Sequence, residues 1–364
     1  MSLTPKLARL IRADGPMTVE AFMRLCLHDP EFGYYATRPH LGAEGDFITA
    51  PLVSQMFGEL IGLWAVDAWI RFGQPAPFRL VEMGPGDGTL MSDLMRAARV
   101  VPGFRASAGL WLVETSAPLI ERQRERLAVH GPRWAGSLAE VPAGAPLVLI
   151  ANELLDCLPA RQFVKTETGW AERRVGLDRD DALMFGLSPA PNGFVPPSGL
   201  EDLAPGSLIE VSPAQEALGA EVGARIAADG GVALFLDYGR DRPEPGDTLQ
   251  ALSAHRKVDV LASAGEADLT VHADFPAFAA AARAAGAATT AIAGQGDFLR
   301  ALGLDLRAAA LAKARPDQAE VIARQHRRLT DPEKMGTLFK VVCVHQVGLE
   351  VAGLLASPGD DGTS

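Results

Sequence analysis

The stretch Phe78–Leu90, FRLVEMGPGDGTL, constrains this chain more than any other. Phe78 to Glu82 form a mostly apolar run closed by an acid, the pattern of a parallel strand buried on both faces. MGPGDG then makes a tight turn, and a helix follows over roughly 89–100. Gly84, Gly86 and Gly88 let the backbone turn sharply and come close to a ligand. The first N–H groups of the helix are unpaired and point at whatever sits in the turn. Such a unit suits a nucleoside-bearing cofactor. Its spacing is GxGxG, not the GxGxxG of dinucleotide sites, so the glycines alone leave NAD and S-adenosylmethionine open. A second strand, 110–113, ends at Glu114, thirty residues after Gly84. An acid there can accept both hydroxyls of an adenosine ribose.

The rest of the sequence narrows the class. Its 364 residues suffice for a sizeable core in one or two domains. A net charge of −11 argues against non-specific nucleic-acid binding and polybasic membrane attachment. Cys26, Cys157 and Cys343 are too scattered for a disulfide framework or a metal cluster, which fits a reducing compartment. No apolar run reaches the length of a membrane span. The start, MSLTPKLARLIRADG, lacks a long apolar core with a cleavage site and runs straight into a first helix, so a cytoplasmic protein is expected.

Read in order, residues 4–15 form a helix, and Thr18 caps a second. HDPEFGYYATRP breaks that pattern; its aromatics Phe32, Tyr34 and Tyr35 either anchor the break or wall a ligand cleft. In GDFITAP, Thr49 caps a helix that continues to about 72, and its polar head sits beside the cleft. PLVLIA, 146–151, is a third core strand, leading into Asn152, Glu153 and Asp156. Residues 231–236 give another strand, ending in Asp237-Tyr238-Gly239, and FKVVCVH gives the last. Ser212 and Pro213 open a helix to about 228. His272 lies between Asp268 and Asp274, without metal-ligand spacing. The expected architecture is α/β: a mostly parallel sheet with helices on both faces. Residues 1–75 form an N-terminal helical segment shaping part of the cleft. Residues 76–160 and 207–350 form the core, 161–206 a small antiparallel β insertion, and 357–364 a flexible tail.

Seven blocks together carry a resemblance: HDPEFGYY, GDFITAPLVSQMFGELIG, VEMGPGDGTLMSDLMR, VETSAPLIERQRERL, IANELLDCLPARQF, LDYG and EADLTVHADF. With them the chain resembles the MidA/NDUFAF7-like family of class I S-adenosylmethionine-dependent methyltransferases, a protein arginine methyltransferase family. The resemblance selects S-adenosylmethionine over NAD and implies a Rossmann-like methyltransferase fold. It implies that Gly84, Gly86 and Gly88 form the methionine-side turn, with Glu82 near the cofactor's amino group. It gives Glu114 the ribose, puts Asn152 at the methionine moiety or acceptor, and assigns Gly45, Asp46 and Thr49 to the cleft wall. The family's mitochondrial member is linked to symmetric arginine dimethylation and complex I assembly, which makes a protein arginine the expected acceptor. Carboxylates that orient a guanidinium are then required. Glu153 and Asp156 are the first candidates, followed by Asp237, with Asp46 and a proton-accepting His272 behind them. The competing expectations are a cofactor-binding assembly factor without turnover and an NAD(P)-dependent oxidoreductase.

Overall fold

The computed structural model describes residues 2–37, 49–254 and 256–357. The main strands of its central sheet are β1 (Phe78–Met83), β2 (Ala108–Val113), β3 (Arg133–Ala135), β4 (Leu147–Asn152), β5 (Gly231–Arg240) and β6 (Phe339–His345). In space they run β3-β2-β1-β4-β5-β6. The first five are parallel, and β6 is antiparallel to β5. The chain steps from β1 outward to β2 and β3, then returns to lay β4 on the other flank of β1. Open α/β sheets bind ligands at such a reversal, outside the carboxyl ends of the strands.

The pleat sorts the strand residues between two layers. Leu80, Leu110, Val148, Ile150 and Leu234 share a core with Phe57, Ile61 and Trp64 of α1 (Gln55–Arg71), Leu90 and Leu94 of α2 (Thr89–Ala97), and Leu127 of α3 (Ala117–Leu127). Their neighbours Val81, Leu149, Ala233 and Phe235 pack with Val222 and Ile226 of α4 (Pro213–Asp229) and Phe278 of α5 (Phe275–Ala284). Burial on both faces explains why the parallel strands read as apolar runs without alternation.

Local signals set several helix starts. Thr18 Oγ1 accepts from Ala21 N at 3.0 Å, and Ser212 Oγ accepts from Gln215 N at 3.2 Å, with Pro213 leading α4. Thr49 behaves differently: its side chain makes no capping hydrogen bond. A short helix, Ala50–Val53, ends at Ser54, which is extended and caps α1 through Met56 N at 3.3 Å. The single helix expected from Thr49 is therefore two.

A second sheet is antiparallel, built from Arg161–Thr166, Gly169–Leu177 and Leu183–Pro189. It also takes in Leu208–Val211 and Met17–Thr18. It therefore runs beyond the 161–206 boundary, because the Pro/Gly loop returns the chain to pair Val211 with Arg161. The N-terminal helices are joined to it as well: Leu7, Phe22 and Met23 share a core with Val175, Leu269 and Val271.

Helices α4 and α5 meet almost backbone to backbone. A Cβ at Gly219 would lie 2.4 Å from Phe278 O, and one at Gly223 would lie 2.4 Å from Ala282 O. Gly223→Leu is expected to lower stability by about 3 kcal/mol through overpacking, read as a lower denaturant midpoint. An unchanged midpoint would show that the two helices separate freely.

Candidate active site

At the carboxyl ends of β1, β2 and β4 lies a cavity of about 420 Å³, in the range of small-molecule sites. Gly84, Gly86 and Gly88 of the turn after β1 all have left-handed φ, at 65°, 55° and 81°. At Gly86 a Cβ would meet nothing within 4 Å, so the backbone angle, not space, demands glycine there. Asp87 closes the turn: its Oδ1 accepts from Thr89 N at 3.0 Å, and its Oδ2 pairs with Arg126 at 2.8 Å.

Two polar atoms beside this turn have no hydrogen-bond partner among the described residues. One is Oε2 of Glu82, 2% exposed at the end of β1; the other is Oδ1 of Asn152, 9% exposed at the end of β4. The amide of Asn152 is oriented by its Nδ2, which donates to Glu153 Oε1 at 2.9 Å. Burial and the nearby charge of Asp87 push the Glu82 carboxyl well above its ordinary value. Buried acceptors left unpaired call for a donor, and a cationic one suits Glu82. Both residues line the cavity.

Glu114 stands at the end of β2. Its Oε1 accepts from the N–H groups of Thr115 and Ser116, both at 2.8 Å, and Gln123 Nε2 approaches its Oε2 at 3.3 Å. Burial raises its pKa against the pull of these donors. Its carboxylate keeps lone pairs free for further donors in the cavity.

The segment after β4 forms the other wall. Glu153 has a left-handed φ of 54°, unusual for a glutamate, and its N–H donates to Leu236 O at 2.8 Å. Its Oε1 accepts from Ala50 N at 3.1 Å, tying the wall to the helix after Thr49, which also lines the cavity. Burial, with Asp156 beside it, raises Glu153 to about 7. Burial raises Asp156 to about 6, against the opposing effect of the Tyr238 hydroxyl.

Asp237 is placed differently. Its Oδ2 accepts from Leu155 N at 2.8 Å and Asp156 N at 3.1 Å, and its Oδ1 from Tyr238 N at 2.8 Å. It is 1% exposed and does not line the cavity. Its geometry is that of a clamp on the 153–156 bend, not of a group facing an acceptor. His272 does not line the cavity either; its ring packs edge-on to Tyr238. Gly45 and Asp46 lie outside the described residues.

The fold also joins residues that the sequence named only separately, Tyr35 as a possible cleft wall and Asp268 as a neighbour of His272. Tyr35 OH donates to Asp268 Oδ1 at 3.1 Å across 233 residues of chain, and both line the cavity next to Asp156. The aromatic cluster of HDPEFGYY and the acid before His272 were the visible signals. Gln123, on α3, lies inside the block VETSAPLIERQRERL, where nothing gave it a role of its own. Among the described residues no His/Cys/Asp/Glu group is arranged for a metal ion.

The family described as "putative S-adenosyl-L-methionine-dependent methyltransferase" matches residues 60–293. The mitochondrial protein arginine methyltransferase NDUFAF7 of Bos taurus is 34% identical over 94% of this chain and 84% of its own length. The human protein of that name is 34% identical over 93% and 82%. A Burkholderia thailandensis crystal structure with S-adenosylhomocysteine bound superposes with a TM-score of 0.82 at 27% identity, covering 96% of this chain and 93% of that one.

The chain belongs to this methyltransferase family.

Its cofactor is S-adenosylmethionine, and the NAD(P) alternative falls away. The expected cytoplasmic location is corrected by the same findings, since the matched relatives are named as mitochondrial proteins. No described helix is long and apolar enough to cross a membrane.

The site's residues fit this cofactor. Among the described residues the cavity is lined by seven carboxylates and by no lysine or arginine. That excess suits a ligand carrying both a sulfonium and an ammonium charge. Glu82 and Asn152 offer unpaired acceptors there, and Glu114 a carboxylate with lone pairs to spare. Glu114→Ala is expected to weaken S-adenosylhomocysteine binding about 30-fold by calorimetry, as the loss of ~2 kcal/mol of charge-assisted hydrogen bonding requires. Unchanged affinity would remove Glu114 from the ribose.

Proposed function

We propose that this methyltransferase methylates an arginine side chain of a partner protein. The observation that carries the reading is the acid wall of the cavity: Glu153, Asp156 and Asp268 line it, and no lysine or arginine is among its described lining residues. A guanidinium remains cationic at any working pH and presents a planar fork of N–H donors to carboxylates. A lysine acceptor would first have to lose its charge, which such a wall opposes. The names of the relatives support the same acceptor.

Bound S-adenosylmethionine supplies an electrophilic methyl on sulfur. The protein's task is to bring one guanidinium nitrogen into line with that methyl and hold it there with water partly excluded. Glu82 and Asn152 take the ammonium and Glu114 the ribose. Thr49 and the N-terminal segment wall the cleft. On the acceptor side, Glu153 and Asp156 accept guanidinium N–H groups and draw the positive charge away from the attacking nitrogen. As the N–CH3 bond forms and the S–CH3 bond breaks, that nitrogen sheds a proton. Glu153, with its raised pKa, is placed to receive it. Asp268, held by Tyr35, seats the far side of the guanidinium. Asp237 acts through the bend.

Labelled-methyl transfer to arginine-containing peptides, with lysine counterparts beside them, tests the reading. Arginine peptides should be methylated and lysine peptides not; the reverse would overturn it. Glu153→Gln should lower kcat roughly 100-fold while cofactor affinity holds. Asp268→Asn should raise the peptide KM about tenfold and leave kcat closer to wild type.

The pH dependence has a definite sign. Glu153 and Asp156 are charged only above their raised values of about 7 and about 6, while arginine stays charged throughout. In a stopped assay kcat/KM should therefore climb from about pH 6 to about pH 8, and Glu153→Gln should flatten the upper part of that limb. A flat wild-type profile would separate these acids from the reaction.

A further inference from the structure

We infer that Gln123 is a positioning residue that locks the glycine turn and Glu114 into one cradle, and that this lock gives the protein its preference for a cofactor with free ribose hydroxyls. The inference rests on Glu114 being the ribose acid.

Gln123 is completely buried, yet both ends of its amide are hydrogen-bonded. Nε2 donates to Gly86 O at 2.7 Å and approaches Glu114 Oε2 at 3.3 Å, and Oε1 accepts from Trp134 Nε1 at 2.8 Å. An indole N–H can only donate, so it fixes which end of the amide faces it. The NH2 group is then committed to the two acceptors on the other side. A flipped amide would set N–H against N–H and oxygen against oxygen.

Three separate elements meet at this one side chain: the turn after β1, the acid ending β2, and Trp134 of β3. Helix α3 lies directly against the turn, with Gln123 Cα 3.6 Å from where a Cβ on Gly88 would sit. Arg126, three residues further along α3, holds Asp87 of the same turn at 2.8 Å. Gln123 does not itself line the cavity. Its effect runs through Glu114. Two backbone N–H groups hold Oε1 of that carboxylate, and Gln123 is the side chain that steadies Oε2. With Oε2 fixed, its remaining lone pair has one direction in which to meet a hydroxyl.

The test uses the full chain and calorimetric affinities for S-adenosylhomocysteine and for its 2′-deoxy and 3′-deoxy counterparts. Wild type should prefer the full ribose. Gln123→Met, close in volume but without donors, should weaken S-adenosylhomocysteine about tenfold and scarcely change the deoxy compounds, so that the preference collapses. Trp134→Phe, which removes the indole donor and keeps an aromatic ring, should give a partial collapse in a protein that still folds. A wild-type preference in both variants would overturn the inference. So would an equal loss for all three ligands, which is what a merely structural role produces. Glu114→Ala is measured beside them: if it keeps the preference, the ribose assignment itself fails. If it loses the preference and the Gln123 and Trp134 variants do not, only the role of Gln123 fails.

Discussion

β1 and β4 lie side by side in parallel register, with Glu82 opposite Ile150 and Met83 opposite Ala151. The chain leaves these two strands toward opposite flanks of the sheet. Among the described residues no strand or helix therefore crosses above their carboxyl ends, and the cavity is the consequence. The apolar halves of the same strands make that opening affordable. Val81, Leu149, Leu80 and Ile150 are fully buried against helices on both faces, so the polar residues one or two places further along are held on a rigid base. Glu82, Asn152 and Glu153 stand at the ends of β1 and β4, where that packing gives way to the cavity.

The second organising force is unbalanced charge. Seven carboxylates line a cavity that receives no lysine or arginine among the described residues, and burial raises several of them. Glu153 shows the sense of the effect. Its folded-state value lies above the ordinary 4.5, so the stability it contributes is full below that pH and is lost as pH rises through about 7. Near neutrality this concentration of carboxylates is therefore in tension with the rest of the fold. Ligands that bring positive charge relieve this tension, which favours a sulfonium cofactor and a guanidinium together over either alone.

The sequence made the parts of this architecture that obey local rules readable. The strand–glycine–helix unit, the apolar runs of β4, β5 and β6, and the caps at Thr18 and Ser212 are encoded within a few residues each. β3 is three residues long and has no period to detect. The break at Ser54 hid inside an unbroken apolar stripe. Leu208–Val211 joins the second sheet only because a long loop carries it back to Arg161–Thr166. Tyr35 with Asp268, and Gln123 with Gly86, Glu114 and Trp134, are products of tertiary folding; no spacing announces them. The expected cytoplasmic location leaned on the opening residues, and the first helix there is a packing element, burying Leu7, Ala8 and Ile11.

Asp237 is a strand-end acid whose two oxygens are both engaged by backbone N–H groups. Polar residues at strand ends are good candidates for chemistry, and this one lies at the correct edge of the sheet. The chain beyond β4 must bend sharply to turn Glu153 and Asp156 toward the cavity, and that bend strips the N–H groups of Leu155 and Asp156 of strand partners. Buried N–H groups need acceptors. Asp237 reaches across from β5 to supply one, and burial, together with the neighbouring charges of Asp156 and Glu153, raises its own pKa well above normal. Its conjugation to the site is mechanical: the left-handed turn at Glu153 exists because Leu236 O and Asp237 on the adjacent strand hold the peptides on either side of it. The acids that face the cavity are thus oriented by an acid that does not, and the neighbouring strand determines what β4 presents.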